Sequence, residues 1–296
     1  MMENINIKEK VIIALDFDDL KQVKLMLKKL QGTAFFYKIG FELFTSCGIK
    51  SVELVKDCGC KIFLDLKYHD IPNTVYKAVR SAGKLGADII NVHASGGVSM
   101  MKAAKKAGME AEAETGRHAD IIAVTVLTSL SDDDVSRIFY GLGESAGNPD
   151  TAGKSRTGRG GAASASFAKD AGLAGKKSEK ESISSNLALH FAKLAHISGL
   201  DGVVCSGLES LKIKNLFGKN FKTVTPGIRM MKADNGAGGK VMEGRIGDDQ
   251  KRIMTPSEAF NAGADYIVVG REVTGAGNPA EALASIYGDI ENNLKI

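Results

Sequence analysis

The segment "KIFLDLKYHDIPNT", residues 61–74, begins as an apolar run and ends in charge. Ile62, Phe63 and Leu64 read as a buried strand, yet Asp65, Lys67 and Asp70 set two carboxylates and an ammonium where that strand should pass into a loop. A side-chain period of two puts Asp65 and Lys67 on one face and Leu66 on the other. Whether the rest of the chain repeats this layout decides the fold.

Seven further runs of the same kind can be marked: "KVIIALD" (10–16), "FFYKIG" (35–40), "DIINVHA" (88–94), "DIIAVTVLT" (120–128), "DGVVCSG" (201–207), "KTVTPGI" (222–228) and "DYIVVGR" (265–271). Between them lie stretches such as "LKQVKLMLKKL" and "TVYKAVRSAGKLG", whose apolar residues recur at three and four, the period of an amphipathic helix. Alternation of this kind is the mark of parallel βαβ units. Eight such units predict an α/β fold, a single-domain (β/α)8 TIM barrel over residues 1–296, which suits a fold of typically about 250 residues. An open doubly wound sheet would carry a glycine-rich turn after its first strand, where this chain has "ALDFDDL".

Composition narrows the function. A net charge of +4, with Lys and Arg scattered among Asp and Glu, lacks the basic block of a nucleic-acid binder, and the absence of Trp removes a favoured stacking platform. No apolar run reaches 18 residues and "MMENINIKEKVIIALDF" has no signal-peptide core, so a cytoplasmic protein without membrane contact is expected. Cys47, Cys58, Cys60 and Cys205 form no C-x-x-C pair and have no nearby His partners, which predicts free thiols and no metal centre.

Two segments exceed what a barrel needs. Residues 141–182 are more than half Gly, Ala and Ser and read as a surface or disordered insertion after the fifth strand. Residues 230–249, "MMKADNGAGGKVMEGRIGDD", form a lengthened loop after the seventh strand, expected to act as a lid.

In a barrel of this type the carboxyl ends of the strands and the loops after them build the site. Asp16, Lys38, Asp65 with Lys67, His93, Thr128, Arg229, and Gly270 with Arg271 fall at or just past seven of the eight strand ends, where a packed core would reject them. Structural readings compete at some of these positions. Asp16 also suits the N-cap of a helix starting near Asp18, His93 a satisfied core histidine, and Thr128 the cap of the next element. Lys38, between Tyr37 and Ile39 in a buried strand, needs a carboxylate partner, for which Asp65 and Asp70 are the candidates. "VVGREV", beside "TPGIR" on the neighbouring strand, has the glycine and arginine of a phosphate site.

The stretches "IALDF", "YKIGFELF", "FLDLKYHDIPNTV", "VHASGG", "AVTVLTS", "VTPGIR", "DDQKRIMTP" and "ADYIVVGREV" together resemble the orotidine 5'-monophosphate decarboxylase family, in that family's order and over nearly the whole chain. The resemblance implies decarboxylation of orotidine 5'-monophosphate to UMP in de novo pyrimidine biosynthesis, with no metal or organic cofactor. It implies that Lys38, Asp65, Lys67 and Asp70 form an alternating charged tetrad. In a homodimer, Asp70 and Thr74 would reach into the partner's site. Asp16 and Lys38 would bind ribose, Thr128 and Gln250 the pyrimidine, and Arg229, Gly270 and Arg271 the phosphate. Ile71 and Leu127 would line the apolar pocket beside the departing carboxylate.

Elementary chemistry agrees with these roles. Loss of CO2 from C6 leaves an in-plane carbanion with no π system to spread it, so a fixed cation is required; Lys67 can supply the charge and then the proton. Two alternatives remain at this stage. One is a metal-dependent sugar-phosphate decarboxylase of the same superfamily, such as those acting on 3-keto-L-gulonate 6-phosphate, which the lysine at position 38 disfavours. The other is a non-catalytic phosphosugar-binding barrel, which the intact tetrad disfavours.

Overall fold

The computed structural model describes residues 6–141, 182–230 and 253–294. All eight expected strands are present, as β1 (Val11–Ala14), β2 (Phe36–Ile39), β3 (Lys61–Tyr68), β4 (Ile89–His93), β5 (Asp120–Val124), β6 (Gly202–Val204), β7 (Lys222–Thr225) and β8 (Tyr266–Val269). They pair in parallel in chain order, and β1 closes on β8 through Val11, Ile12 and Ile13 opposite Ile267, Val268 and Val269. The strands end sooner than the apolar runs do, so Thr128 and Arg229 stand in loops past β5 and β7. The 141–182 insertion and the 230–249 lid fall, apart from Gly141, Ser182 and Met230, outside the described residues.

Period two divides the strands between two cores. Ile12, Ala14, Phe36, Phe63, Ile89, Ile122, Val224 and Val268 fill the barrel interior. Their sequence neighbours, among them Ile13, Tyr37, Ile62, Leu64, Ile90 and Ile121, pack outward against the helices. The two-sided burial explains why the strands read as continuous apolar runs. A second result follows from the same alternation: the residue two positions past an interior side chain points to the carboxyl-end mouth. Lys38 follows Phe36, Asp65 follows Phe63, Asn91 follows Ile89, and Asp16 follows Ala14.

The helix after β3, α1 (Pro72–Leu85), sets where Asp70 and Thr74 lie. Pro72 occupies its first turn, where no backbone donor is missed, and Gly86 ends it in a left-handed conformation at φ 87°. Val75, Val79, Ala82 and Gly83 are its buried stripe. Gly83 has a packing reason: a Cβ there would come within 2.7 Å of the Ala111 Cβ on α2 (Gly97–Thr115), so the two helices approach closely.

At the amino-terminal face one device occurs three times. The tripeptides Gly86-Ala87-Asp88, Gly199-Leu200-Asp201 and Gly263-Ala264-Asp265 lead into β4, β6 and β8. Each glycine turns left-handed, and each middle residue is buried. Each aspartate side chain accepts from a backbone N–H of the preceding strand, Ile62 at 2.8 Å, Ile121 at 2.8 Å and Thr223 at 2.7 Å. The same aspartates donate their own N–H to the carbonyls of those same residues. Every odd strand from β3 onward is thus locked in both directions to the even strand that follows it.

Asp265 carries a further load, because it also accepts from Lys214. Asp265→Ala leaves the fully buried Thr223 N–H without its side-chain acceptor and the largely buried Lys214 ammonium without a carboxylate, held only by the Lys219 and Phe221 carbonyls. The expected result is a loss of about 1–3 kcal/mol in urea unfolding, with the barrel still formed at low denaturant.

Candidate active site

A cavity of about 290 Å³ opens at the carboxyl ends of the strands. Asp16, Lys38, Asp65, Lys67, Leu127, Thr128, Arg229, Gly270 and Arg271 line it, over a floor that includes Ala14, Phe63 and Val268 from the interior core. Nine residues read from the sequence are therefore brought to one place. Asp70, Ile71 and Thr74 are not among the lining residues and are exposed, Ile71 by 68%. Gln250 lies outside the described residues.

Charges of alternating sign cross the three adjacent strands β1, β2 and β3. Lys38 Nζ lies 3.0 Å from Asp16 Oδ1 and 3.6 Å from Asp65 Oδ2, and Lys67 Nζ lies 2.7 Å from Asp65 Oδ1. Burial is the largest single influence on Lys38 and works against its charge, but Asp65 and Asp16 together outweigh it, and its pKa is raised above the ordinary lysine value. Gly40, the last residue of "YKIG", has a reason here: a Cβ at that position would lie 2.9 Å from Lys38 Nζ. Asp70, expected beside Lys38, instead accepts from the Ile71 N–H at 2.6 Å, because the chain has by then turned out to the rim. The capping role open to Asp16 belongs to Asp19, whose side chain accepts from the Lys21 N–H. Asp16 is thereby left for Lys38.

Lys67 departs from regular strand geometry. Its φ is +41°, the one positive value at a non-glycine position among the described residues, and the β3–β4 pairing slips between Leu64 and Tyr68. For a residue with a long side chain this conformation costs about 1–3 kcal/mol and persists only where the surroundings impose it. The imposing group is Asn91, which the sequence reading passed over. Its Oδ1 accepts from the Lys67 N–H at 2.8 Å, and its Nδ2 donates to Asp65 Oδ1 at 2.6 Å. Asn91 is fully buried on β4, and a lone amide inside "DIINVHA", two residues before His93, was the available signal. The Lys67 ammonium also faces the Phe41 ring, 5.5 Å from its centroid.

The opposite rim carries two arginines, Arg229 and Arg271. Gly270 precedes the short helix Arg271–Thr274, and the Cβ it lacks would sit 3.7 Å from Asp16 Oδ2. Arg229 donates from Nη1 to the Ile228 carbonyl at 2.9 Å, and its Nε lies 3.7 Å from Glu272 Oε1. The chain that leaves at Met230 returns to pair with this strand end. Arg229 donates its N–H to the Met254 carbonyl at 2.9 Å, and Met254 donates its own to Gly227 at 3.2 Å. The base of the long loop thus fixes the backbone of Arg229.

The donor chemistry does not suit a metal at this end. Lys38 occupies the space between Asp16 and Asp65, where a divalent cation would otherwise bridge the carboxylates. Among the described residues the group with metal-ligand spacing is His118, Asp120 and Asp201, near the opposite face, where Lys222 and Lys105 already pair with the two carboxylates.

Fold and site together define an eight-stranded parallel barrel with a chain of alternating charge and two arginines around one cavity at its carboxyl end. The sequence profile of the orotidine 5'-phosphate decarboxylase / HUMPS family matches residues 9–144 and 168–286, and the chain belongs to that family. The gap in the match falls inside the glycine-rich stretch. Two curated relatives are the orotidine 5'-phosphate decarboxylases of Pseudoalteromonas translucida and Saccharophagus degradans. The first is 39% identical, spanning 96% of this chain and 97% of the relative; the second is 40% identical, spanning 95% and 94%. Among solved structures, the orotidine 5'-phosphate decarboxylase of Lactobacillus acidophilus is 34% identical with a TM-score of 0.66, over 95% of this chain and 98% of that one. An uncharacterized conserved protein from Geobacillus kaustophilus gives 31% and 0.64, over 95% and 99%.

His93, open to two readings from sequence, is half-buried at the end of β4 with its ring 5.5 Å from that of His69. Burial, then the charges of His69 and Lys67, push its pKa down to about 4. The unfolded chain, with an ordinary value of about 6.5, takes up this proton first on acidification. The stabilising effect of a neutral His93 is therefore present above about pH 6.5 and lost progressively toward pH 4. His93→Gln should flatten this part of the profile, so that its urea midpoint falls less than that of the wild type between those two pH values.

Proposed function

We propose that this chain decarboxylates orotidine 5'-monophosphate to UMP and CO2 in pyrimidine biosynthesis, with Lys67 as the group that meets the developing charge at C6. Family membership and the names of its relatives support the reaction. The observation that carries the assignment of roles is the Asp16–Lys38–Asp65–Lys67 chain of alternating charge at one wall of a cavity whose other rim holds Arg229 and Arg271.

Loss of CO2 places an electron pair in the plane of the pyrimidine ring, and a preorganised ammonium lowers the energy of that state without reorganising at the moment of reaction. Lys67, held by Asp65, supplies the charge and then transfers a proton from Nζ to C6, with the carbon–carbon bond pair becoming the new C–H bond. Lys38 and Asp16 bind ribose hydroxyls. Thr128 and Gln250 contact the base, and Leu127 and Ile71 exclude water beside the carboxylate. Arg229, Arg271 and the backbone at Gly270 hold the phosphate, in the loops after the seventh and eighth strands where barrels commonly bind one. Residues 230–249 close over the base, and binding energy from the remote phosphate drives that closure. The stretch 141–182 is an insertion outside this machinery.

Asp70, Ile71 and Thr74 are exposed and do not line the cavity of their own chain. Such a group serves the reaction by completing the site of a second copy. The enzyme is accordingly a homodimer, in which Asp70 approaches the partner's lysine wall and Thr74 the partner's ribose. No helix among the described residues is long and apolar enough to cross a membrane.

Two measurements test this. Lys67→Ala should lower turnover of orotidine 5'-monophosphate by at least about 10²-fold while UMP binding by calorimetry stays close to wild type; undiminished turnover sinks the assignment. Mixing inactive Lys67→Ala with inactive Asp70→Ala protein should restore activity, because one of the two sites in a mixed dimer then has both residues intact. No recovery after verified subunit exchange would place Asp70 outside the partner's site.

A further inference from the structure

Asn91 makes two hydrogen bonds that serve different parts of the same lysine. Its amide nitrogen donates to Asp65 Oδ1, the oxygen that also receives Lys67 Nζ, and its amide oxygen accepts from the Lys67 backbone N–H. Both contacts are short, at 2.6 Å and 2.8 Å, and Asn91 is fully buried, so bulk water cannot stand in for either. We propose that Asn91 is a positioning residue for the decarboxylation: it holds the backbone of Lys67 in its left-handed turn and the carboxylate of Asp65 at the ammonium, so that Nζ is aimed before substrate binds. The proposal rests on the function assigned above and extends it to a residue that is not among the cavity-lining groups.

The geometry requires an amide. An ionised aspartate at position 91 keeps an acceptor for the Lys67 N–H but loses the donor to Asp65 and sets a second negative charge against it. Leucine, of similar volume, offers neither bond. Asparagine supplies one donor and one acceptor on a short, two-torsion side chain, and both are used. The residue one step below on the same interior face of β4, Ile89, is apolar, so packing alone gives no reason for an amide here.

Misplacement of Nζ should be felt in the transition state more than in ground-state binding, because the phosphate and ribose contacts lie on other elements. The test compares wild type, Asn91→Ala, Asn91→Asp and the neighbouring control Val92→Ala, which removes buried volume on the outward face without touching Asp65 or Lys67. For the two Asn91 variants kcat should fall by about 10²-fold, with KM and the Kd for UMP within about threefold of wild type. For Val92→Ala the thermal midpoint should drop while kcat is retained. Asn91→Asp fills the same volume, so the comparison stands even where Asn91→Ala folds poorly. A folded Asn91 variant with wild-type kcat overturns the positioning role, and so does a loss shared equally by kcat and UMP affinity, or one matched by Val92→Ala. An inactive wild type would instead overturn the decarboxylase reading itself.

Discussion

Asp65 is the point on which the active end of the barrel turns. Its two oxygens receive Lys38, Lys67 and Asn91 from three adjacent strands, and the group is nearly buried. A carboxylate in that position is stable only with such a set of donors, and each donor in turn depends on it. Removing it would leave Lys67 without its carboxylate and Lys38 with Asp16 alone. Lys67 is thus bonded to Asp65, and Asp65 in turn to Asn91. Interior packing below, from Phe36, Phe63 and Ile89, sets the height at which the three meet.

The eight strands were legible because both their faces are buried, which writes each as an apolar run, and because period two then identifies which polar residue reaches the mouth. Lys38 and Asp65 follow directly from that rule. Thr128 and Arg229 were legible as site residues but not as loop residues, since "TVLT" and "PGIR" prolong the apolar pattern beyond the last ladder hydrogen bond. Asn91 escaped notice because an amide carries no charge to mark it, and its role depends on a backbone torsion at Lys67 that no residue type announces. Asp16 and Asp19 show another limit: either could cap the helix, and only the extended backbone at Asp19 decides it.

The two faces of the barrel divide the work. At the carboxyl end, the chain spends strain and buried charge on Lys67, Asp65 and Lys38. Near the amino end, carboxylates are satisfied by backbone donors and by Lys105, Lys214 and Lys222. The chain leaves at Met230 and is back at Met254 beside Arg229, at the first of these ends. Lengthening a loop there costs only slowly growing closure entropy, provided the strands it joins are held elsewhere.

The repeated glycine–apolar–aspartate turns have a consequence for how such a chain assembles. Each closes a strand–helix–strand unit using only groups within that unit, so β3 with β4, β5 with β6, and β7 with β8 can reach their final register before the barrel is complete. The seam between β1 and β8 is joined differently, by a parallel ladder that sets Val11, Ile12 and Ile13 opposite Ile267, Val268 and Val269.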